Sequence, residues 1–471
     1  MSANIPKSMA RDPVLDDSGR AASIGSLEGI FSAIVFSWRM SSYRAICYFL
    51  SHLGLLRFVF DPLRVVRPVS LFRSTLIVTK ATEVREVLER FDDFFLGQFI
   101  EPGMPWGRFI MTIDGRKQHD LERGLLWRAV DPSDVEAIRG IARKVCNATI
   151  EGASHRLDVV TQLAEPVMIA IFAQYFGIPP VGGLQGMRQV MRDLAGIIMV
   201  NPPVGSRPWM ESRKNIDLLT TRLRTQIGNK KASGAAPQGS QTPADFLTRL
   251  VNLHSASSPA WFDEDWIRRY LTGLVATGAA TVLRGTAHAV DQLLAHPECL
   301  PHARKLASEL DRNEDNLRRC VSSESSPEQA RLKCDLDNSR RKLLQWIYEA
   351  LRFRPMLPLL IRDCPRDTVV AKGRRLARLV PGGTRVIASP LAAMFDPEAF
   401  PDPSRFVERP LADYLHFGIG PRECFGRYIA ETVMIEIVRS LLRFPDLARA
   451  EGVAGRVQYQ GPVPCSLILT F

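Results

Sequence analysis

The stretch HFGIGPRECFGR, residues 416–427, sets one cysteine among three glycines, two phenylalanines and two arginines. A lone cysteine is commonly a small buried hydrophobe, so its neighbours must argue for anything more. Gly418 and Gly420 permit a tight turn ahead of Cys424. Gly426 removes a side chain two residues past the sulfur, where something flat and bulky can approach. The apolar run after Arg427, YIAETVMIEIVRSLL, has helical periodicity and so predicts Cys424 at a helix N-terminus. A thiolate is stabilised there by the macrodipole and free N–H groups. A tuned thiolate with room beside it is a metal ligand or a nucleophile. No histidine stands ready as a catalytic partner, and no second cysteine supports zinc.

Three further stretches could do chemistry. YEALRFRP carries Glu349 and Arg352 three residues apart, on one helical face. KQHDLERGLL carries His119 and Arg123 at i and i+4. In WIRRYLTGLVATGAATVLRGTAHAVDQLL the small residues Ala276, Gly278, Ala279 and Ala280 precede Thr281, and small side chains on a helix let a ligand come close. Tight packing in a core helix is the plainer explanation of that stripe.

Taken together, Phe417-x-x-Gly420-x-x-x-Cys424-x-Gly426 resembles the haem-binding signature of the cytochrome P-450 family. The resemblance implies haem b, with Cys424 as axial ligand to the iron and Phe417 packed near the sulfur. Glu349 and Arg352 lie ahead of Cys424 and are followed by FPDPSRFVERP, matching the family's order; the third member of the implied ion-pair network is Arg409 or Arg405, with Arg409 favoured. His119, Arg123, Arg362 and Arg422 match the family's donors to the haem propionates, which are costly to bury unpaired. On the helix over the haem the family writes Ala/Gly-Gly-x-Asp/Glu-Thr, its acid and hydroxyl relaying protons. This chain reads Thr277-Gly278-Ala279-Ala280-Thr281, so the threonine is kept and the acid is missing. QYFGIP (174–179) and VPGGTRV (380–386) extend the likeness from about residue 60 to the end.

The elements that must position these groups follow from patterning. STLIVTK alternates as a strand and ATEVREVLERF follows with helical spacing; helical patterns dominate from about 116 to 350. The end, GRVQYQGPVPCSLILTF, predicts short strands. The expected fold is mainly α with a small β region, one large helical domain of the cytochrome P-450 type over residues 61–471 with haem buried between helices. Residues 1–60 form an extension without a match that could pack on the body.

Composition bounds the function. The 471 residues are 46% hydrophobic and carry a net charge of +11, without zinc-finger spacing or basic runs interleaved with aromatics, so a nucleic-acid partner is not expected. The basic face fits an acidic redox protein better. Eight cysteines without a Cys-x-x-Cys pair suit a reducing compartment, and no flavin or Fe–S motif is visible. The polar N-terminus is unlike a secretory leader, and the apolar runs up to residue 62 are cut by arginines, so no integral membrane anchor is expected. A cytoplasmic monomer is expected, with peripheral membrane contact through residues 26–62 left open. The implied reaction is O2-dependent monooxygenation in lipid or secondary metabolism, with electrons from a ferredoxin-type donor and its reductase. The alternatives are a peroxygenase or hydroperoxide isomerase acting on a fatty-acid derivative, or a non-catalytic haem sensor. FFLGQFIEPGMPWGRF (94–109) is the expected cover of the pocket, and its Phe99 and Trp106, with Ala276 and Ala279, suggest an apolar, fairly bulky substrate. Arg108 and Arg284 could meet a carboxylate, although solvated side chains are the plainer reading.

Overall fold

Helix Glu264–Ala295 runs 32 residues through the centre of the molecule. Its start is fixed by Asp263, whose side chain accepts the Trp266 N–H, and Glu264 and Asp265 in the first turn complement the dipole. Beyond that turn it is buried on nearly every side, as an apolar all-round sequence requires. Helices Gly183–Val200, Arg207–Ala232, Pro327–Phe353 and Arg427–Leu442 pack around it. The computed structural model describes residues 40–101, 104–233, 244–254, 258–319 and 327–471, with Gln98 and Phe99 described by backbone alone. One continuous apolar core reaches from Val69 to Leu469.

The β region is small. Strands β1 (Val69–Phe72), β2 (Thr75–Val78), β3 (Leu360–Asp363) and β4 (Arg385–Ala388) form one sheet in the order β1-β2-β4-β3, with only the β2–β4 pair parallel. The chain end forms strands Gln458–Gln460, Val463–Ser466 and Ile468–Thr470. These elements match the alternating and helical patterns read from the sequence.

Residues 1–39 of the expected extension lie outside the described residues. Its described remainder packs on the body: helix Met40–Ser51 meets Leu53–Val66 at a 90° bend, and Leu53, Leu56 and Phe60 cluster with Leu391 and Ala392. Among the described residues no single helix is long and apolar enough to cross a membrane; this bent pair passes only when its two halves are joined.

Candidate haem site

The turn before Cys424 is built as its glycines require. Gly418 and Gly420 have φ of 66° and 72°, and a Cβ on Gly420 would lie 3.2 Å from the Glu89 Cα. The Cys424 N–H donates to the Phe417 carbonyl at 2.9 Å, closing the loop. The following helix begins at Arg427 with Gly426 as its cap, so the sulfur precedes the helix and does not sit in its first turn. Cys424 keeps accessible surface, yet burial pushes its thiol up to about 11, against the Gly426 backbone hydrogen bond and the charge of Arg123. The sulfur is desolvated by the surrounding protein and yet is not covered by it. Burial here outweighs the helix end, so the thiolate needs a cation beside it, which a haem iron would supply. A Cβ on Gly426 would meet nothing within 4 Å, leaving space for a flat group.

Behind this loop lies a buried ion-pair network. Arg352 grips Glu349 with two hydrogen bonds, Nε to Oε2 at 2.9 Å and Nη2 to Oε1 at 2.8 Å, and both side chains are fully buried. The remaining guanidinium donors reach the carbonyls of Met394 (3.1 Å), Pro403 (2.8 Å) and Arg405 (3.0 Å). Glu349 also accepts the Tyr414 hydroxyl at 2.8 Å and the Val407 N–H at 3.1 Å. Of the two candidate third members, Arg409 places Nε 3.7 Å from Glu349, while the Arg405 side chain is exposed beside Asp402. The pair therefore pins the irregular segment that delivers residues 416–426.

Three guanidiniums, of Arg123, Arg362 and Arg422, and the imidazole of His119 lie together on the Cys424 side. Burial lowers the pKa of His119, and the charges of Arg422 and Arg123 add to the shift despite Asp120. Arg362 is held at about 10 by burial and then by Arg422; it donates only to the carbonyl of Ile361, and among the described residues no carboxylate lies within 4 Å of it. Arg422 has Asp114 at 2.6 Å. A buried guanidinium without a carboxylate is costly, so this constellation suits an anionic ligand. Two haem propionates would meet that need, and His119, Arg123, Arg362 and Arg422 are the residues that would hold them.

Between Tyr270 and Asp291 of the central helix the residues that are not buried are Leu274, Thr277, Gly278 and Thr281, spaced i, i+3, i+4 and i+7. They form one stripe. Ala276, Ala279 and Ala280 have no accessible surface and occupy the opposite, packed side. A Cβ on Gly278 would find only the Phe172 ring, at 3.9 Å, whereas one on Gly273 would fall 2.3 Å from the Phe109 ring. Thr281 donates to the Thr277 carbonyl at 2.8 Å, and Thr277 to that of Gly273 at 2.9 Å.

The expected pocket cover divides. Trp106 is buried in the core near Phe109, and among the described residues its indole N–H has no partner. The Phe99 side chain lies outside the described residues. Arg108 is at the surface near Glu101 (3.4 Å). Arg284 corrects the solvated reading: it is fully buried, because the central helix has no solvent face there, and it donates to the carbonyls of Pro462 (2.7 Å) and Leu50. Sequence reasoning missed Asp114, which accepts the Leu96 and Gly97 N–H groups as well as Arg422, and Tyr414. Only the turn sequence IDG around Asp114 hints at such a role.

A cytochrome P450 family profile matches residues 65–447, and the chain belongs to that family. That family consists of haem-thiolate oxidoreductases. The fold resembles ligand-free cytochrome P450 TbtJ1, with TM-score 0.69 and 19% identity over 88% of this chain and 97% of the other. A mutant of P450 EryK in complex with erythromycin B gives TM-score 0.69 and 22% identity, over 89% and 97%. Among curated proteins, linoleate diol synthase of Gaeumannomyces graminis is 38% identical over 90 residues, 19% of this chain and 8% of that one. Cytochrome P450 76M5 of Oryza sativa subsp. japonica is 28% identical over 294 residues, 57% and 53%. The alignments cover about a tenth of the length of the first such relatives and about half of the rice protein.

Proposed function

We propose that the protein is a monooxygenase that places one oxygen atom from O2 into an apolar, fairly bulky small molecule, with electrons from a separate ferredoxin-type partner. When bound, haem supplies the oxidising chemistry. The chain's part would be to hold the iron through Cys424 Sγ, to neutralise the propionates, and to manage protons at Thr281. The observation that carries this reading is Thr281 on the accessible stripe, one turn after Thr277. Each hydroxyl donates to a carbonyl one turn back, so its lone pairs are free to accept a hydrogen bond, and it passes its own proton along only by rotating away from that carbonyl. Buried Ala280 cannot exchange protons, so Thr281, water or polar groups of the substrate must complete the relay.

A hydroperoxide isomerase or peroxygenase is the second reading. It is favoured by the short matches to linoleate diol synthase and to a bifunctional dioxygenase (DOX)-epoxy alcohol synthase (EAS) of Fusarium oxysporum, and by the missing acid, which pre-reduced oxygen would not need. Product formation assayed with O2, NAD(P)H and a surrogate redox pair, then with peroxide or fatty-acid hydroperoxide alone, separates the two. Efficient turnover only in the second assay would overturn the monooxygenase.

A further inference from the structure

Helix Asp134–Glu151 begins with a buried carboxylate that the haem site does not use. Asp134 Oδ2 accepts the Tyr175 hydroxyl at 2.8 Å and the Asp131 N–H at 2.9 Å, and Arg249 lies 3.0 Å from each of its two oxygens. The Tyr175 oxygen is also 2.8 Å from the Tyr428 hydroxyl. An ionised carboxylate only accepts, so Tyr175 spends its one proton on Asp134 and Tyr428 must donate to Tyr175. The three groups form a chain along which a proton can pass from Tyr428 toward Asp134.

The Tyr428 end lies beside the ligand cysteine. Tyr428 is in the first turn of helix Arg427–Leu442, four residues after Cys424, and its ring stands edge-on to Phe425 at 6.2 Å between centroids. Burial raises the Tyr428 pKa against the Tyr175 hydrogen bond, and negative charge on Asp134 and on Cys424 adds to the rise. The phenol is therefore protonated at neutral pH, and it feels the charge of the sulfur. Tyr348 also approaches the cysteine loop, its ring 5.9 Å from Phe417, but it donates straight to Glu431, and after burial its pKa is raised by Glu431. A phenol gives up an electron readily only when its proton has somewhere to go, and the Tyr175–Asp134 pair provides that place for Tyr428.

We infer that Tyr428 is a redox-active residue that returns an electron to the haem when peroxide has oxidised it with no substrate in place. The role requires haem ligated by Cys424 and is independent of whether O2 or peroxide serves the main reaction. Tyr428 gives one electron to the haem and its phenolic proton to Tyr175, as Tyr175 gives its own proton to Asp134. A tyrosyl radical at position 428 and a protonated Asp134 are left. A one-electron donor such as ascorbate then reduces the radical, and the proton returns along the same chain. The thiolate is thereby spared oxidation.

The experiment uses substrate-free ferric holoprotein frozen within milliseconds of mixing with hydrogen peroxide. It reads the organic radical by electron paramagnetic resonance and the bleaching of the haem absorption. Wild type should give a radical whose hyperfine structure collapses in protein grown on ring-deuterated tyrosine. Tyr428→Phe should remove most of that signal and bleach about threefold faster or more, and Tyr175→Phe, which takes away the proton acceptor, should lower the radical yield about threefold or more. Tyr348→Phe should keep the wild-type yield. Undiminished radical in either Tyr428→Phe or Tyr175→Phe, loss of the signal in Tyr348→Phe, or a wild-type radical that ignores the tyrosine label would overturn the inference. Should Tyr428→Phe lose the reduced CO band, Tyr175→Phe decides alone. A wild type without the CO band of a thiolate-ligated haem would instead overturn the ligation by Cys424 beneath it.

Discussion

Removing Arg352 should prevent the protein from holding haem. Its guanidinium makes two hydrogen bonds to Glu349 and three to the carbonyls of Met394, Pro403 and Arg405. Arg352→Ala leaves the Glu349 carboxylate buried, with Tyr414 and Val407 as its remaining donors, and strips three acceptors of a partner. Breaking such a buried pair costs about 3–5 kcal/mol, and each buried acceptor left unsatisfied about 1–3 kcal/mol. These terms are not additive. Even the lower figure is a large share of the roughly 5–15 kcal/mol that keeps a domain folded. The loss falls on the segment that leads into residues 416–426, so haem retention should fail before the helices do. The assay is the haem-to-protein ratio together with the thermal midpoint, using Arg405→Ala as control. The Arg405 side chain is exposed and only its carbonyl is used, so that control should stay within about 0.5 kcal/mol of wild type. Arg352→Ala with full haem content and an unchanged midpoint would refute the structural role of the pair.

Glu314 is expected to govern acid stability. Burial raises its pKa, but Arg439 (2.6 Å), Arg143 (2.8 Å) and Arg340 (2.9 Å) more than reverse this and lower it from 4.5 to about 2. A depressed carboxylate stabilises above its ordinary pKa and loses that contribution as pH falls toward about 2, here on the order of 3 kcal/mol. Glu314→Gln should therefore flatten the decline of the unfolding midpoint across that window; an unchanged slope counts against it. Arg362→Gln, which removes a buried cation lacking a carboxylate, should weaken haem retention by about tenfold or more, read from haem transfer to an acceptor protein, and equal retention would contradict its propionate role. Thr281→Ala removes the hydroxyl that stands on the accessible stripe of the central helix. With O2 and a redox pair it should change the product formed per electron consumed, and an unchanged ratio would favour the peroxide-using reading.

How much of this was legible in the sequence depended on whether a residue's role is local. The glycine-bracketed cysteine and the helical spacing of Glu349 with Arg352 are local patterns, and the corresponding turn and ion pair appear where those patterns lie. The choice between Arg405 and Arg409 was not legible, because it depends on how an irregular segment folds back on a helix more than fifty residues earlier. The stripe on the central helix shows a second limit. Small residues signal close approach, but not by what: Ala276, Ala279 and Ala280 meet neighbouring protein, whereas Gly278 lies on the accessible side. Arg284 escaped for a related reason, since charge suggests solvent and only the buried course of the helix makes backbone carbonyls its partners. The sulfur's place ahead of the helix turns on Gly426 capping it, a shift of a few residues that periodicity does not resolve.

Ligation of haem iron by Cys424 is tested most directly by the absorption spectrum of the reduced, CO-bound protein. Wild type should show the red-shifted band of a thiolate-ligated haem, and Cys424→Ala should lack it. An unchanged band in Cys424→Ala, or a wild type that binds haem without that band, would contradict the assignment of Cys424 as the iron ligand.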